Sequence, residues 1–350
     1  MSITKQSVGI DISKDTFTAC GCSHQSDGKL IFSEVKNFKN ESTGFNQLLR
    51  WVKGFASAGT EVVFLMEATG VYYESLAHHL FKIKKKVVVV LPNTSKHYFA
   101  SLNVKSKTDE IDARVLGRFG VERIHRYWIA PSPVMLQLRN LTRYYLQLQE
   151  QKTALGNIKH SKESAHEVQK FIMQSNKKLI KQLDVQLVNC KAEIERLIKS
   201  DAELYQRVEK LMTIKGVGLM TVATIVAETL GFEHFKSAKQ VVSYAGYDVV
   251  QRESGTSIKG KTRISKKGNK YIRNALFFPA MVATRFNPDL KATYMRISST
   301  KTSKMIGQVA IQRKLLVLIY TLWKTDSIYI IGYNEVAPTK KTEATLDSYL

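Results

Sequence analysis

The hydrophobic period of this chain changes once, near residue 135, and that change limits what the chain can build. Up to about residue 130, short β-branched runs alternate with segments whose apolar residues recur every three or four positions. Val8–Ile12, Thr16–Cys22 and Leu30–Val35 read as strands, the first two joined by the turn-like Ser13-Lys14-Asp15. Phe45, Leu48, Leu49, Val52 and Phe55 fall at helical spacing. Val62–Met66 and Val87–Leu91 have the short apolar character of strands covered on both faces, with a helix over Tyr72–Phe81 between them. Three strands followed by alternating helices and strands predict an α/β domain with a mixed sheet over residues 1–135.

From Leu138 the repeat is heptad. Leu138, Leu141, Tyr145, Leu148 and Leu155 keep one phase, and Ile180, Leu183, Leu187, Cys190, Ile194 and Leu197 keep it again. Between them the core positions turn polar at Lys159, Lys162, His166 and Gln169. Residues 136–205 therefore read as two helical arms around a weak middle, either an antiparallel hairpin or an oligomerising coiled coil; two ordinary bundle helices would give the same pattern. Residues 206–333 read as a mostly α-helical domain, and 334–350 as a disordered tail.

That last domain opens with Ile214-Lys215-Gly216-Val217-Gly218 ahead of an apolar helix. The pattern fits a helix–hairpin–helix, in which the glycines permit a tight turn and the next helix's amides can hold a phosphate. An ordinary glycine turn between packed helices would look the same. Further on, Arg252, Lys259, Lys261, Arg263, Lys266, Lys267, Lys270 and Arg273 stand against Glu253 alone, with glycines at 255, 260 and 268. A helix is expected to start near Asn269 and stop at Pro279.

Charge now sharpens the reading. The 53 Lys and Arg against 30 Asp and Glu give a formal net charge of +23, the mark of a polyanion partner and most simply a nucleic acid. Three cysteines, Cys20, Cys22 and Cys190, are too scattered for a disulfide framework or a zinc site. The N-terminal Met1-Ser2-Ile3-Thr4-Lys5 lacks the apolar core of a secretory signal. The longest apolar stretch, Leu315–Trp323, is too short to span a bilayer. A cytosolic protein without a membrane partner is expected.

Against this basic background four acids stand out. Asp11 lies in Val8-Gly9-Ile10-Asp11-Ile12, Glu67 ends Val62-Val63-Phe64-Leu65-Met66, and Asp109 and Asp112 share one helix face. A carboxylate in a buried strand costs several kcal/mol unless it is paired or bound to a cation. Acids at i and i+3 repel unless a cation lies between them. Hard oxygen donors suit two Mg²⁺ ions, or Mn²⁺, for in-line phosphodiester displacement, with Lys105 and Lys107 beside the phosphates being cut. The helical pair also has a structural reading: Ser106-Lys107-Thr108-Asp109 has capping-box spacing, and Asp112 complements the helix dipole. Ser254, in Glu253-Ser254-Gly255-Thr256-Ser257, could be a nucleophile among cations, although a serine in a polar loop is more often a turn former.

Together these residues resemble the insertion-sequence transposases of the IS110 family, RuvC-like DEDD enzymes described as bridge-RNA-guided recombinases. The resemblance rests on Val8-Gly9-Ile10-Asp11-Ile12-Ser13-Lys14, Met66-Glu67-Ala68-Thr69-Gly70 and Lys107-Thr108-Asp109-Glu110-Ile111-Asp112-Ala113. It continues through Ser254-Gly255, Arg263-Ile264-Ser265-Lys266-Lys267-Gly268-Asn269 and Ile272-Arg273, covering most of residues 5–290 in order. It implies an RNase H-like N-terminal domain with the tetrad Asp11, Glu67, Asp109 and Asp112, and a C-terminal domain whose catalytic serine is Ser254, with Ser257 close by. It further implies a structured noncoding RNA that pairs with target and donor DNA, and a tetramer with composite sites. The expected activity is cutting and rejoining of DNA, with metal-bound carboxylates activating the serine. A Mg²⁺-dependent junction resolvase using water is the alternative, and a non-enzymatic nucleic-acid-binding protein is the third reading. Lys215, Gly216, Gly218, Lys259, Lys261, Arg263, Lys266, Lys267, Lys270 and Arg273 are the expected nucleic-acid contacts of the C-terminal half.

Overall fold

The computed structural model describes residues 2–163, 169–251, 253–254, 258–260, 262–301 and 303–332, with Ser254, Ile258 and Lys259 described by backbone only. The chain divides into two compact units, 1–130 and 131–350. The expected tail at 334–350 and the polar heptad position His166 lie outside the described residues.

The first unit is built on β1 (Ile3–Ile12), β2 (Thr16–Gln25) and β3 (Leu30–Lys39), an antiparallel meander. The Ser13-Lys14-Asp15 turn closes with a Ser13 amide bond to the Thr16 carbonyl at 2.9 Å. α1 (Ser42–Phe55), β4 (Val62–Glu67), α2 (Glu74–Lys82) and β5 (Lys86–Val90) follow, then α3 (Pro92–Ser101) and α4 (Asp109–Glu122). β4 and β5 add in parallel, giving the five-stranded order β3-β2-β1-β4-β5. The mixed sheet is the one the alternating pattern predicts. α3 was not expected: its polar sequence has no helical stripe, and Pro92 at its first turn starts it.

Each face of the sheet has its own core. Val8, Ile10, Phe17, Phe64 and Met66 pack with Phe45 and Leu48 of α1 and Leu76 and Leu80 of α2. Leu65, Val88 and Val90 point the other way, onto Tyr98 of α3 and Leu116 and Phe119 of α4. Strand residues alternate between faces, so Asp11 and Glu67 belong to the α4 side.

The second unit begins with α5 (Pro133–Glu163) and α6 (Lys170–Lys199). They pair as an antiparallel hairpin within one chain: Lys152 bonds Asp184 at 2.5 Å, and the Cys190 thiol lies 3.5 Å from the Leu141 carbonyl. The arms were expected as a segment of their own, 136–205. Leu138, Cys190, Ile194 and Leu197 instead share one core with residues far beyond 205, including Val226, Leu276, Ile311, Leu315 and Ile319. Tertiary burial of the proximal ends joins what the heptads alone would separate.

α7 (Ala202–Met212) and α8 (Leu219–Thr229) follow, then α9 (Ala238–Ala245). A ribbon comes next: β6 (Val249–Val250) pairs with β9 (Arg263–Ile264), and inside it β7 (Glu253–Ser254) pairs with β8 (Ile258–Lys259). α10 (Lys270–Phe286), α11 (Pro288–Thr300) and α12 (Lys304–Thr325) complete the unit.

Two expectations need correction here. Pro279 does not end its helix; α10 continues to Phe286. The proline removes the donor that the Ala275 carbonyl would have used, and the Thr221 hydroxyl lies 3.4 Å from that carbonyl. Pro279, Ala280 and Ala283 are buried, so packing carries the helix past the break. The Leu315–Trp323 stretch is one end of a 22-residue helix, α12, long and apolar enough by composition to cross a bilayer. Its residues Ile311, Leu315, Leu316 and Ile319 are fully buried in the core of this unit.

Candidate functional site

The placement of the acids in the first unit follows from how closely α4 lies on β1. A Cβ added at Gly9 would sit 1.9 Å from the Gly117 amide nitrogen, and one at Gly120 would sit 2.7 Å from the Ser7 Cβ. The Ser7 hydroxyl also donates to the Gly117 carbonyl. Glycine is thus required at this crossing, because any larger residue would push helix from strand. Ser7 and Gly9 share one face of β1, and Asp11 is the next residue on it. Two residues along a strand advance about 6.7 Å, and four residues back along a helix about 6 Å. Stepping from Ser7 through Gly9 to Asp11 therefore walks α4 from Gly120 back to its first turn, where Asp109 and Asp112 stand.

Glu67 arrives from the neighbouring strand. The parallel register pairs Ile10 with Met66, so Asp11 and Glu67 are the next residues beyond that pair. Burial pushes the Asp11 carboxyl up to about 6, and Asp112, Asp109 and Glu67 add to the rise while Lys107 opposes it. Burial also raises Asp112; there Lys107 works against the rise, and Asp109 and Glu67 add to it. The four acids predicted from sequence are close enough to feel one another.

The cap of α4 separates structural from available acids. Thr108, not Ser106, is the capping residue: its hydroxyl accepts from the Ile111 amide at 3.2 Å. Asp109 is left without the capping role the spacing suggested. Among the described residues, Asp11, Asp109 and Asp112 have no side-chain hydrogen bond or ion pair. Glu67 differs, because the Ser95 hydroxyl donates to one of its oxygens and the Thr69 hydroxyl lies 3.5 Å from the other. Ser95 is buried on α3 and was missed from sequence, since nothing marks one serine in an unrecognised helix.

Among the described residues, no three His, Cys, Asp or Glu side chains are drawn together closely enough to grip a metal ion as they stand. The donor set is all oxygen, partly desolvated and over-negative with only Lys107 opposing it, which fits a hard divalent cation and not zinc. Lys105 and Lys107 are exposed just before α4.

In the second unit, α7 and α8 are joined by a turn in which Ile214 and Val217 are buried and Lys215 and Gly218 are exposed. Gly216 has φ +94°, and a Cβ there would press within 3.0 Å of Val282. Ser254 lies on the ribbon opposite Ile258. Arg252, Ser257 and Lys261 lie outside the described residues, and of Lys259 only the backbone is described. Arg263, Lys266, Lys267 and Lys270 are exposed, Lys266 with φ +53°. Arg273 is committed internally: its guanidinium donates to the Ala245 carbonyl at 2.7 Å and the Gly268 carbonyl at 3.2 Å.

A second charged centre escaped the sequence reading. Glu228, on the apolar helix α8, is buried and held at both oxygens by Arg143 of α5, at 2.6 and 2.8 Å. The Asn269 side-chain amide donates to it as well, at 2.6 Å. A single acid in the apolar run Leu219–Thr229 was the available signal.

Known proteins resemble this chain at three levels. A DEDD-type IS110 transposase family matches residues 8–161, and the transposase IS116/IS110/IS902 family matches residues 208–295. The pilin gene-inverting protein of Moraxella bovis is 30% identical over 322 residues, 91% of this chain and 96% of that protein. An insertion element IS110 protein of Streptomyces coelicolor is 23% identical over 136 residues, 39% of this chain and 33% of that one. Among solved structures, Thermus thermophilus RuvC aligns with 13% identity and a TM-score of 0.26, over 35% of this chain and 99% of its own. The same protein in complex with a Holliday junction aligns at 11% identity and a TM-score of 0.25, over 33% and 91%.

Proposed function

We propose that this chain, which belongs to the IS116/IS110/IS902 family of transposases, cuts and rejoins DNA strands at the ends of a mobile element. The first unit is read as an RNase H-like nuclease domain, a reading supported by a meander of three antiparallel strands extended by two parallel ones. Asp11, Glu67, Asp109 and Asp112 are the residues that would hold two Mg²⁺ ions, with Mn²⁺ able to replace them. Ions bound there would stabilise the attacking and leaving oxygens of a phosphodiester displacement. The chain itself contributes four mutually repelling carboxylates, with Lys105 and Lys107 as exposed cations for the phosphates. What carries this reading is the placement of Asp11 at the end of β1, beside Glu67 of β4 and within the electrostatic reach of Asp109 and Asp112 in the first turn of α4.

Ser254 is the proposed nucleophile, with Ser257, three residues on in sequence, as the alternative. Its oxygen bonds to phosphorus while a deoxyribose oxygen leaves and takes up the serine proton. The result is a protein–DNA phosphodiester, which the hydroxyl of another strand can reverse. Support comes from the family and from exposed Arg263, Lys266, Lys267 and Lys270 following along the chain. Lys215, Gly216 and Gly218 offer the turn before α8 as a second phosphate contact. Family membership extends the proposal to a structured noncoding guide RNA and to assembly of several copies in the bacterial cytosol. The net charge of +23 supports the polyanion partners. The exposed apolar residues Val185 and Val188 on α6 support assembly.

The test uses element-end duplexes and purified protein with Mg²⁺. Asp11→Asn is expected to lower strand cleavage by about 10³-fold with DNA binding retained. Ser254→Ala is expected to abolish the covalent adduct on a denaturing gel. Undiminished cleavage by Asp11→Asn overturns the acidic site. Cleavage by the unaltered protein without any adduct would assign the attack to water, as in a junction resolvase.

A further inference from the structure

The basic segment after the ribbon has to hold a particular shape to present its lysines. Lys266 is left-handed at φ +53°, and its amide donates to the Gly246 carbonyl at 3.1 Å. A Cβ at Gly268 would meet the Tyr244 carbonyl at 2.5 Å and the Gly246 nitrogen at 2.6 Å, so only glycine fits. The Asn269 amide donates to the Tyr244 carbonyl at 2.7 Å. These contacts dock the turn on the end of α9 and leave Lys266 and Lys267 exposed.

The Asn269 side chain works in two directions. Its carbonyl oxygen accepts from the Tyr271 and Ile272 amides at 2.9 and 3.2 Å, capping α10. Its amide nitrogen donates to Glu228 at 2.6 Å. Glu228 is held in turn by the two-point bond from Arg143, and the Tyr244 hydroxyl donates to the Glu228 backbone carbonyl at 3.1 Å. The side chain of Glu228 is 1% exposed and that of Arg143 42%. An apolar residue of similar volume often serves a core as well as a buried ion pair does. No apolar residue could orient the Asn269 amide, which the Glu228 carboxylate does.

We propose that Glu228 is a positioning residue whose carboxylate, through Asn269, holds the Lys266-Lys267-Gly268-Asn269 turn in the conformation that presents both lysines to nucleic-acid phosphates. This rests on the reading above, in which the basic segment binds the nucleic-acid backbone. Arg143 fixes the carboxylate from the α5 side, so the turn inherits the rigidity of two helices. The group acts on binding geometry and touches no reacting atom.

The experiment measures how the affinity of the full-length protein for duplex DNA falls with salt. Each phosphate contact contributes about 0.9 to the slope of log affinity against log salt. Lys266→Ala/Lys267→Ala is expected to lower that slope by about 1.8. Glu228→Gln and Asn269→Asp are each expected to lower it by a similar amount. Asn269→Asp keeps the capping oxygen and sets a repelling oxygen against Glu228, so it serves even if Glu228→Gln folds poorly. The double variant Glu228→Gln/Asn269→Asp restores that hydrogen bond with donor and acceptor exchanged, while Arg143 keeps only the remaining oxygen, and is expected to recover part of the slope. A purely structural role would lower Tm and leave the slope unmoved. If the lysine pair shifts the slope while Asn269→Asp leaves it at the original value, or if the double variant recovers nothing, the positioning role is overturned. If the lysine pair itself shifts nothing, the fault lies with the phosphate-binding reading on which the proposal stands.

Discussion

Asp11 and Glu228 are both acids withdrawn from water, and the chain treats them in opposite ways. Glu228 is given an arginine at both oxygens and an amide besides. Asp11 is given three other carboxylates and one exposed lysine. Packing can afford the first arrangement anywhere, because attraction between partners offsets desolvation. The second lowers stability as it stands, and a proton or an outside cation would relieve it. Unmet charge, more than burial, is what distinguishes a site from a strut.

If that contrast is right, removing the two acids should have opposite effects on folding. Glu228→Ala leaves Arg143 facing an empty apolar contact, and urea unfolding is expected to show a loss of about 3 kcal/mol, the low end for a broken buried pair since Arg143 is part-exposed. The next effect concerns Mg²⁺. At about a hundredfold excess over its Kd it is expected to stabilise the unaltered protein by about 2.7 kcal/mol, and Asp11→Asn should forfeit most of that in a thermal melt. Without metal, Asp11→Asn is expected to raise stability by about 1 kcal/mol, a figure already discounted for solvent screening of a half-buried group. A loss of stability in that variant would make Asp11 a structural residue like Glu228.

The smallest effect sharpens the same point through pH. The Asp11 carboxyl stands at about 6 in the folded protein against an ordinary 3.8. Between about pH 4 and pH 6 the unfolded chain has released a proton that the folded one still keeps, so metal-free stability falls as pH rises through that window. Above it the penalty is constant. Chemical denaturation at a series of pH values should show this decline in the unaltered protein, and Asp11→Asn should flatten it. Saturating Mg²⁺ should flatten it as well, because the ion favours the charged carboxylate.

Local pattern made much of this molecule legible. Strands in the first unit follow from β-branched runs such as Val62–Glu67, and α1 from the stripe Phe45, Leu48 and Val52. α3 was hidden because its residues carry no stripe, and the passage of α10 beyond Pro279 because its support comes from tertiary packing of Pro279, Ala280 and Ala283. The arms show the same division. Heptads announced two helices and left their partner open, whereas the pairing of Lys152 with Asp184 and the shared core decide for a hairpin inside one chain.

Sequence by itself determined which acids to watch, since Asp11 and Glu67 interrupt apolar strands and Asp109 and Asp112 share a helical face. It also determined that the surface is cationic, because charge adds up without regard to folding. Only the tertiary structure decided which acids remain uncompensated. The Gly9–Gly117 crossing sets the distance of α4 from β1, and Thr108 takes the cap that would have occupied Asp109. Whether a buried charge meets its opposite or its like depends on contacts between residues remote in the chain. No local period encodes that, which is why Arg143 could find Glu228 unseen from sequence.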